Sequence, residues 1–217
     1  MTEWLPEFPY HPDPVATGAV VPSEVKCVRC ARARGYIYTG PVCAVEEVRE
    51  RLCPWCVADG SAAERFDAHF TEGTCLVEEV PLEVFTAVDR RTPGFAAWQE
   101  TQWFFHCGDG AAFLGRVAAG ELAAHSDALE LLRRAARDGG RPADQVEHYL
   151  SSLTKDGQPT AYLFRCRVCA IHLASPTSRS QSGALREPAR RHRPPSTPTY
   201  TRSKRADHRW APQIRRR

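Results

Sequence analysis

Two Cys-x-x-Cys pairs, Cys27–Cys30 and Cys53–Cys56, are separated by 22 residues, and no other feature of the chain limits its folding so strongly. Each pair suits a tight knuckle, and two knuckles at this spacing can close on one tetrahedral ion, as in a four-cysteine zinc ribbon. A metal held this way contributes on the order of 10–16 kcal/mol to folding, so it would act as a fold determinant. The competing reading makes Cys53-Pro54-Trp55-Cys56 a redox dithiol with a lowered thiol pKa. A redox pair normally opens a helix within a βαβ unit, whereas this one has a second pair at zinc spacing.

A third pair, Cys166 and Cys169, needs two more ligands for a closed site. His106 and Cys107 are the candidates by residue type, with His172 in reserve. Cys43 and Cys75 have no partner at useful spacing and read as ordinary small side chains. Asp59-Gly60-Ser61 could be a polar catalytic turn, but Ser61 reads better as a helix cap. His106-Cys107-Gly108-Asp109 sets an imidazole beside a thiol and a carboxylate, yet a nucleophilic site requires convergence in space, not in sequence. The chain has no glycine-rich phosphate loop, HExxH pair or nucleophile elbow.

Along the chain, the proline- and aromatic-rich start to Pro22 predicts an extended arm lying on the surface. Tyr36–Thr39 reads as a short strand and Val45–Leu52 as helical. Ser61 with Glu64 predicts a capping box opening a helix to about Phe70, and Pro81–Arg91 a further helix. The strongest helical pattern runs from Glu121 to Arg137, stopped by Gly139-Gly140, with a shorter helix from Ala143 to Leu153. Tyr162–Phe164, the Cys166–Cys169 knuckle and Ile171–Leu173 read as strand, knuckle, strand. The expected class is α+β: a zinc-ribbon-like lobe over 23–60, a mainly helical segment over 61–155 and a CxxC hairpin over 156–174, together making a globular domain over 1–174.

Charge divides the chain at the end of that hairpin. Residues 175–217 hold 12 basic and two acidic residues, whereas residues 1–174 hold 17 basic and 24 acidic ones. The tail is rich in proline, serine and arginine without apolar periodicity, so it is expected to be disordered. No apolar run approaches the ~20 residues that cross a bilayer, and the start lacks an export pattern, so the expectation is a cytoplasmic protein without membrane contact. Nine cysteines in such a setting suit metal ligation better than a disulfide framework.

Several strings resemble the CbrC family of bacterial cysteine-rich proteins. They are Phe8-Pro9-Tyr10-His11-Pro12-Asp13-Pro14 with Thr17-Gly18, Arg34 to Pro41, Cys53 to Ala62, Arg91 to Phe95, Trp98-Gln99, Gln102-Trp103, His106 to Asp109 and Phe113-Leu114-Gly115. The resemblance spans about Leu5 to Leu173. It implies a small cytoplasmic protein linked by name with tolerance to a colicin, and it implies no reaction. The family pattern often has a second cysteine four residues beyond position 107, where this chain has Ala111, and members usually end soon after the hairpin, so the tail is an addition.

Three functions follow as expectations. The first is a non-catalytic zinc protein that binds another protein through its acidic globular face. The second is an enzyme, either a thiol oxidoreductase or a hydrolase with an open metal position at Cys166, Cys169 and His106 or Cys107. The third is nucleic-acid binding through the tail and the basic residues Lys26, Arg29, Arg32 and Arg34.

Overall fold

The computed structural model describes residues 3–71, 80–97 and 103–176. It is α+β, with short helices and three small antiparallel sheets. Strands β1 (Val20–Pro22) and β2 (Tyr36–Tyr38) pair in register Val21 to Ile37, and the first CxxC pair lies in the loop between them. Helices α1 (Pro54–Ala58) and α2 (Ser61–Phe66) follow, then α3 (Leu82–Arg91). Strands β3 (Phe105–His106) and β4 (Asp109–Gly110) form a minimal hairpin. β5 (Ala112–Val117) leads into α4 (Ala119–Leu122), α5 (Ser126–Asp138) and α6 (Ala143–Ser151). The chain returns through β6 (Ala161–Arg165) and β7 (His172–Pro176), giving a sheet in the order β5-β6-β7.

Several expectations are corrected. The segment over 61–155 carries the helices α2 to α6, and also the strands β3, β4 and β5, which helical spacing did not announce. β5 is masked in sequence by Gly115 and by a register shift between Phe113 and Gly115 that turns Leu114 outward, which breaks the alternation that marks a strand. Val45–Leu52 is not helical, since Cys43 and Leu52 are each held in a β-bridge, to His69 and to Tyr38, and Glu50 takes a positive φ. The long helix divides: His125, in a non-helical conformation, separates α4 from α5, and Glu121 accepts the Ala118 N–H at the start of α4. Ser61 is not a cap either. Gly60 occupies that position, and Asp59 Oδ1 accepts the Ser61 N–H.

The buried side chains form three clusters. The first joins Phe8, Val20, Tyr38, Leu52, Val57 and Phe70 to three buried cysteines. The second packs α5 and α6 on the sheet through Leu122, Leu132, Val146, Leu150 and Leu163. The third is aromatic: Phe95 stacks on Phe113 at 3.9 Å between ring centroids, with Trp103, Tyr162 and Phe164 around the pair. The N-terminal arm is pinned by Phe8, Tyr10, His11 and Pro14, which are buried, while Pro9, Pro12, Asp13, Val15, Ala16 and Gly18 stay exposed. Trp98, Cys75 and the tail beyond Pro176 lie outside the described residues.

Candidate metal centres

The two CxxC knuckles have the same backbone. In the first, the Cys27 N–H donates to the Arg32 carbonyl at 3.0 Å and the Ala31 N–H to the Cys27 carbonyl at 2.8 Å, with Ala31 at φ 57°. In the other, the Cys166 N–H donates to the Ile171 carbonyl at 2.9 Å and the Ala170 N–H to the Cys166 carbonyl at 3.0 Å, with Ala170 at φ 63°. Sequences Cys27-Val28-Arg29-Cys30-Ala31 and Cys166-Arg167-Val168-Cys169-Ala170 thus place two thiols on the same side of a tight turn twice in one chain.

At the first cluster the knuckle meets the opening turn of α1. The Val28 N–H donates to the Arg51 carbonyl at 2.9 Å, which holds the loop against the approach to Cys53. The ligand atoms of Cys27, Cys30, Cys53 and Cys56 lie within 4.8 Å of one another. Cys30 Sγ is 3.8 Å from Cys53 Sγ, which matches the ~3.8 Å edge of a tetrahedron with ~2.3 Å zinc–sulfur bonds and is far from the ~2.05 Å of a disulfide. Cys27, Cys53 and Cys56 are buried, and Cys30 is half-buried. The second pair is therefore the first turn of a helix rather than a second hairpin knuckle, which departs from the ribbon expected from spacing.

Proton demand at this cluster follows from the crowding. A hydrogen bond from Cys53 brings the Cys27 thiol down to about 4. Cys53 is raised because it donates to Cys27 and is buried, and burial pushes Cys56 up to about 11. One thiolate is thus stabilised by protonated neighbours, and all four can ionise only around a cation.

The second cluster joins the β3–β4 hairpin to the β6–β7 knuckle. Cys107 and Gly108 both have positive φ, at 53° and 72°, the geometry of a two-residue type I′ turn. This turn sets His106 opposite Asp109. His106 Nδ1 is 3.1 Å from Cys107 Sγ and 3.4 Å from Cys169 Sγ, and the four ligand atoms of His106, Cys107, Cys166 and Cys169 lie within 4.8 Å. Burial opposes ionisation of Cys166, but the Cys169 N–H and the other donors around it bring its thiol down to about 6. Hydrogen bonding to Cys169 pushes Cys107 up to about 11. Cys107 and Cys169 are exposed, unlike most of the first set. His106 is the fourth member of this set, and Ala111 is buried in the aromatic cluster.

The sequence reading missed the groups that brace both clusters. Asp109 Oδ2 accepts from Arg167 at 2.7 Å, and its Oδ1 accepts the Tyr10 hydroxyl at 2.9 Å, tying the arm, the hairpin and the knuckle together. At the first cluster, Arg34 stacks on Trp55 at 4.1 Å and pairs with Glu3. The reserve ligand His172 instead lies against His125, 4.1 Å between ring centroids. Cys43 belongs to neither cluster: it is exposed, and its backbone pairs with His69. Replacing it by serine is expected to change stability by less than about 0.5 kcal/mol in a urea melt and to leave metal content unchanged. None of the eight described cysteines forms a disulfide.

Fold and clusters together define an α+β protein with two thiol-rich sets that could hold metal ions. The chain belongs to the uncharacterised protein family UPF0167, whose model matches residues 5–176. It is 54% identical over 171 residues to UPF0167 proteins of Mycobacterium bovis and Mycobacterium tuberculosis, covering 78% of this chain and 91% of each relative. A UPF0167 protein of Pseudomonas aeruginosa is 39% identical over 170 residues, covering 76% of this chain and 92% of the relative. No solved structure matches the chain. Among the described residues, no helix is long and apolar enough to cross a membrane.

Proposed function

We propose that this protein binds two zinc ions, one in each cluster, and acts by binding another protein rather than by catalysis. The observation that carries this reading is that each cluster brings four donor side chains together. Four protein donors complete a tetrahedron, whereas a hydrolytic zinc keeps a position open for water. Cys27, Cys30, Cys53 and Cys56 would hold one zinc in a ribbon-related lobe, and His106, Cys107, Cys166 and Cys169 the other. Sulfur-rich sets of this kind favour zinc over magnesium or calcium, which take oxygen ligands. The acidic balance of residues 1–174 suits a partner with a basic surface, and the resemblance to the CbrC family supports a role in toxin tolerance or stress.

A thiol oxidoreductase is the second reading, favoured by one feature: Cys53-Pro54-Trp55-Cys56 opens a helix, as redox dithiols do. Against it, the sheets are antiparallel and Cys30 lies beside Cys53. Elemental analysis with a thiol count separates the two. The expected result is two zinc per chain, falling to one in Cys107→Ser. Protein that carries no zinc, with thiols that cycle readily between oxidised and reduced forms, would overturn the metal reading.

A further inference from the structure

A cavity of about 350 Å³, lined by none of the residues of the two cysteine clusters, lies where the N-terminal arm and the end of β2 meet β5. Its walls come from five separate stretches of chain: the arm at 16–19, residues 39–40, residues 95–96, β5 at 113–116 and the turn at 155–156. The volume falls in the lower part of the ~300–1,000 Å³ range of small-molecule sites.

The wall is built to leave backbone and space exposed. Gly40 admits no side chain, since a Cβ there would come within 2.7 Å of the Gly94 carbonyl oxygen. Gly115, at φ 125°, sits at the register shift in β5 that turns Leu114 out of the strand, and bulges of this type re-aim side chains beside functional sites. Beyond it lies Arg116, half-buried. Its guanidinium makes no ion pair or hydrogen bond among the described residues, while its backbone lies in the β5–β6 ladder opposite Tyr162. The other cation of the cavity, Lys155, is already matched by Glu121 at 3.0 Å. Leu114, Ala16 and Ala96 supply exposed apolar lining, Phe95 and Phe113 stand almost fully buried in the wall, and Asp156 is an exposed carboxylate there.

We propose that this cavity binds a small monocarboxylate with an apolar body, the carboxylate held by the Arg116 guanidinium. A guanidinium fork matches a carboxylate with two parallel hydrogen bonds. A single uncompensated cation calls for one negative charge, and Asp156 disfavours an anion carrying more. The apolar lining takes the body of the ligand.

Benzoate is the probe, with benzamide as its uncharged counterpart and inorganic phosphate as an anion without an apolar body. Each is titrated into the full-length, metal-loaded protein, and the Gly18, Gly40 and Gly115 amides are followed by ¹⁵N–¹H NMR. Benzoate is expected to shift these three amides saturably in the millimolar range, with benzamide and phosphate at least tenfold weaker. Arg116→Gln removes the benzoate response, and Arg116→Lys, which keeps the charge and loses the fork, weakens it. The spectrum of each variant reports its own folding. Equal binding of benzoate and benzamide, equal binding of phosphate, or an unchanged response in a folded Arg116→Gln protein would each overturn the proposal.

Discussion

Replacing Cys53 by serine, or stripping metal from the wild type with a strong chelator, is expected to abolish cooperative folding of the segment from β1 to α2. The elements there cannot stand alone. β1 and β2 have three residues each, α1 has five and α2 six, whereas isolated helices below ~12 residues and lone two-stranded hairpins are marginal in water. Cys27, Cys53 and Cys56 are members of the same buried cluster as Val20, Tyr38, Leu52 and Phe66, so their convergence and the packing of that core are one event. Binding on the order of 10–16 kcal/mol at a structural zinc site equals or exceeds the ~5–15 kcal/mol net stability of a typical domain. The measurement is a thermal melt followed by circular dichroism, with NMR to report which residues lose structure. Cys107→Ser is the contrast. It should lose one zinc yet keep a cooperative transition, because the sheet β5-β6-β7 is held by α5 and α6 through Leu132, Val146 and Leu150. Metal-free protein that melts like the loaded form would remove the structural role from the first cluster.

Both clusters were legible in the sequence because cysteine spacing is local. The Cys-x-x-Cys spacing brings two thiols together in either local backbone, a knuckle with the same hydrogen bonds at Cys27 and Cys166 or the opening turn of a helix at Cys53. Joining the third pair to His106 and Cys107 needed only residue type and the requirement for four donors. What surrounds the clusters was not legible, since it depends on long-range contacts. Asp109 is bound by Tyr10, 99 positions away, and by Arg167, 58 away, and no local pattern announces either. β5 failed for a different reason: its register shift at Phe113 and Gly115 destroys the period-two signal. Helical spacing over Val45–Leu52 misled because Val48 and Leu52 are buried four residues apart in a loop held by bridges, and periodicity cannot tell that from a helix turn. Leu122 and Leu129 misled in the opposite way, belonging to two helices that meet at His125.

His11 belongs to this illegible part, and it makes stability depend on pH. The ring is fully buried and edge-on to Phe113 at 5.0 Å between centroids. Its Nδ1 lies 2.7 Å from the Pro93 carbonyl oxygen, which can only accept, so Nδ1 carries the proton. The Thr17 hydroxyl lies 2.7 Å from Nε2 and 3.2 Å from the Pro14 carbonyl oxygen; with its one proton given to the nearer Nε2, the imidazole is neutral. Burial, opposed by the Pro93 hydrogen bond, lowers the pKa from 6.5 to about 4. Between those values the unfolded chain binds the proton and the folded one does not, so stability is complete above pH 6.5 and is lost as pH falls toward 4. At 1.36 kcal/mol per unit the loss is about 3 kcal/mol. Acid also protonates the cysteines of both metal clusters, equally in the wild type and in a His11→Gln variant. The wild type should therefore exceed the variant in stability by about 3 kcal/mol more at pH 7 than at pH 4, read from urea melts at both pH values. An NMR titration gives the direct check: the His11 Cε1–H resonance should stay unshifted down to about pH 5. A His11 that titrates near 6.5 while the protein remains folded would show that the arm opens to solvent.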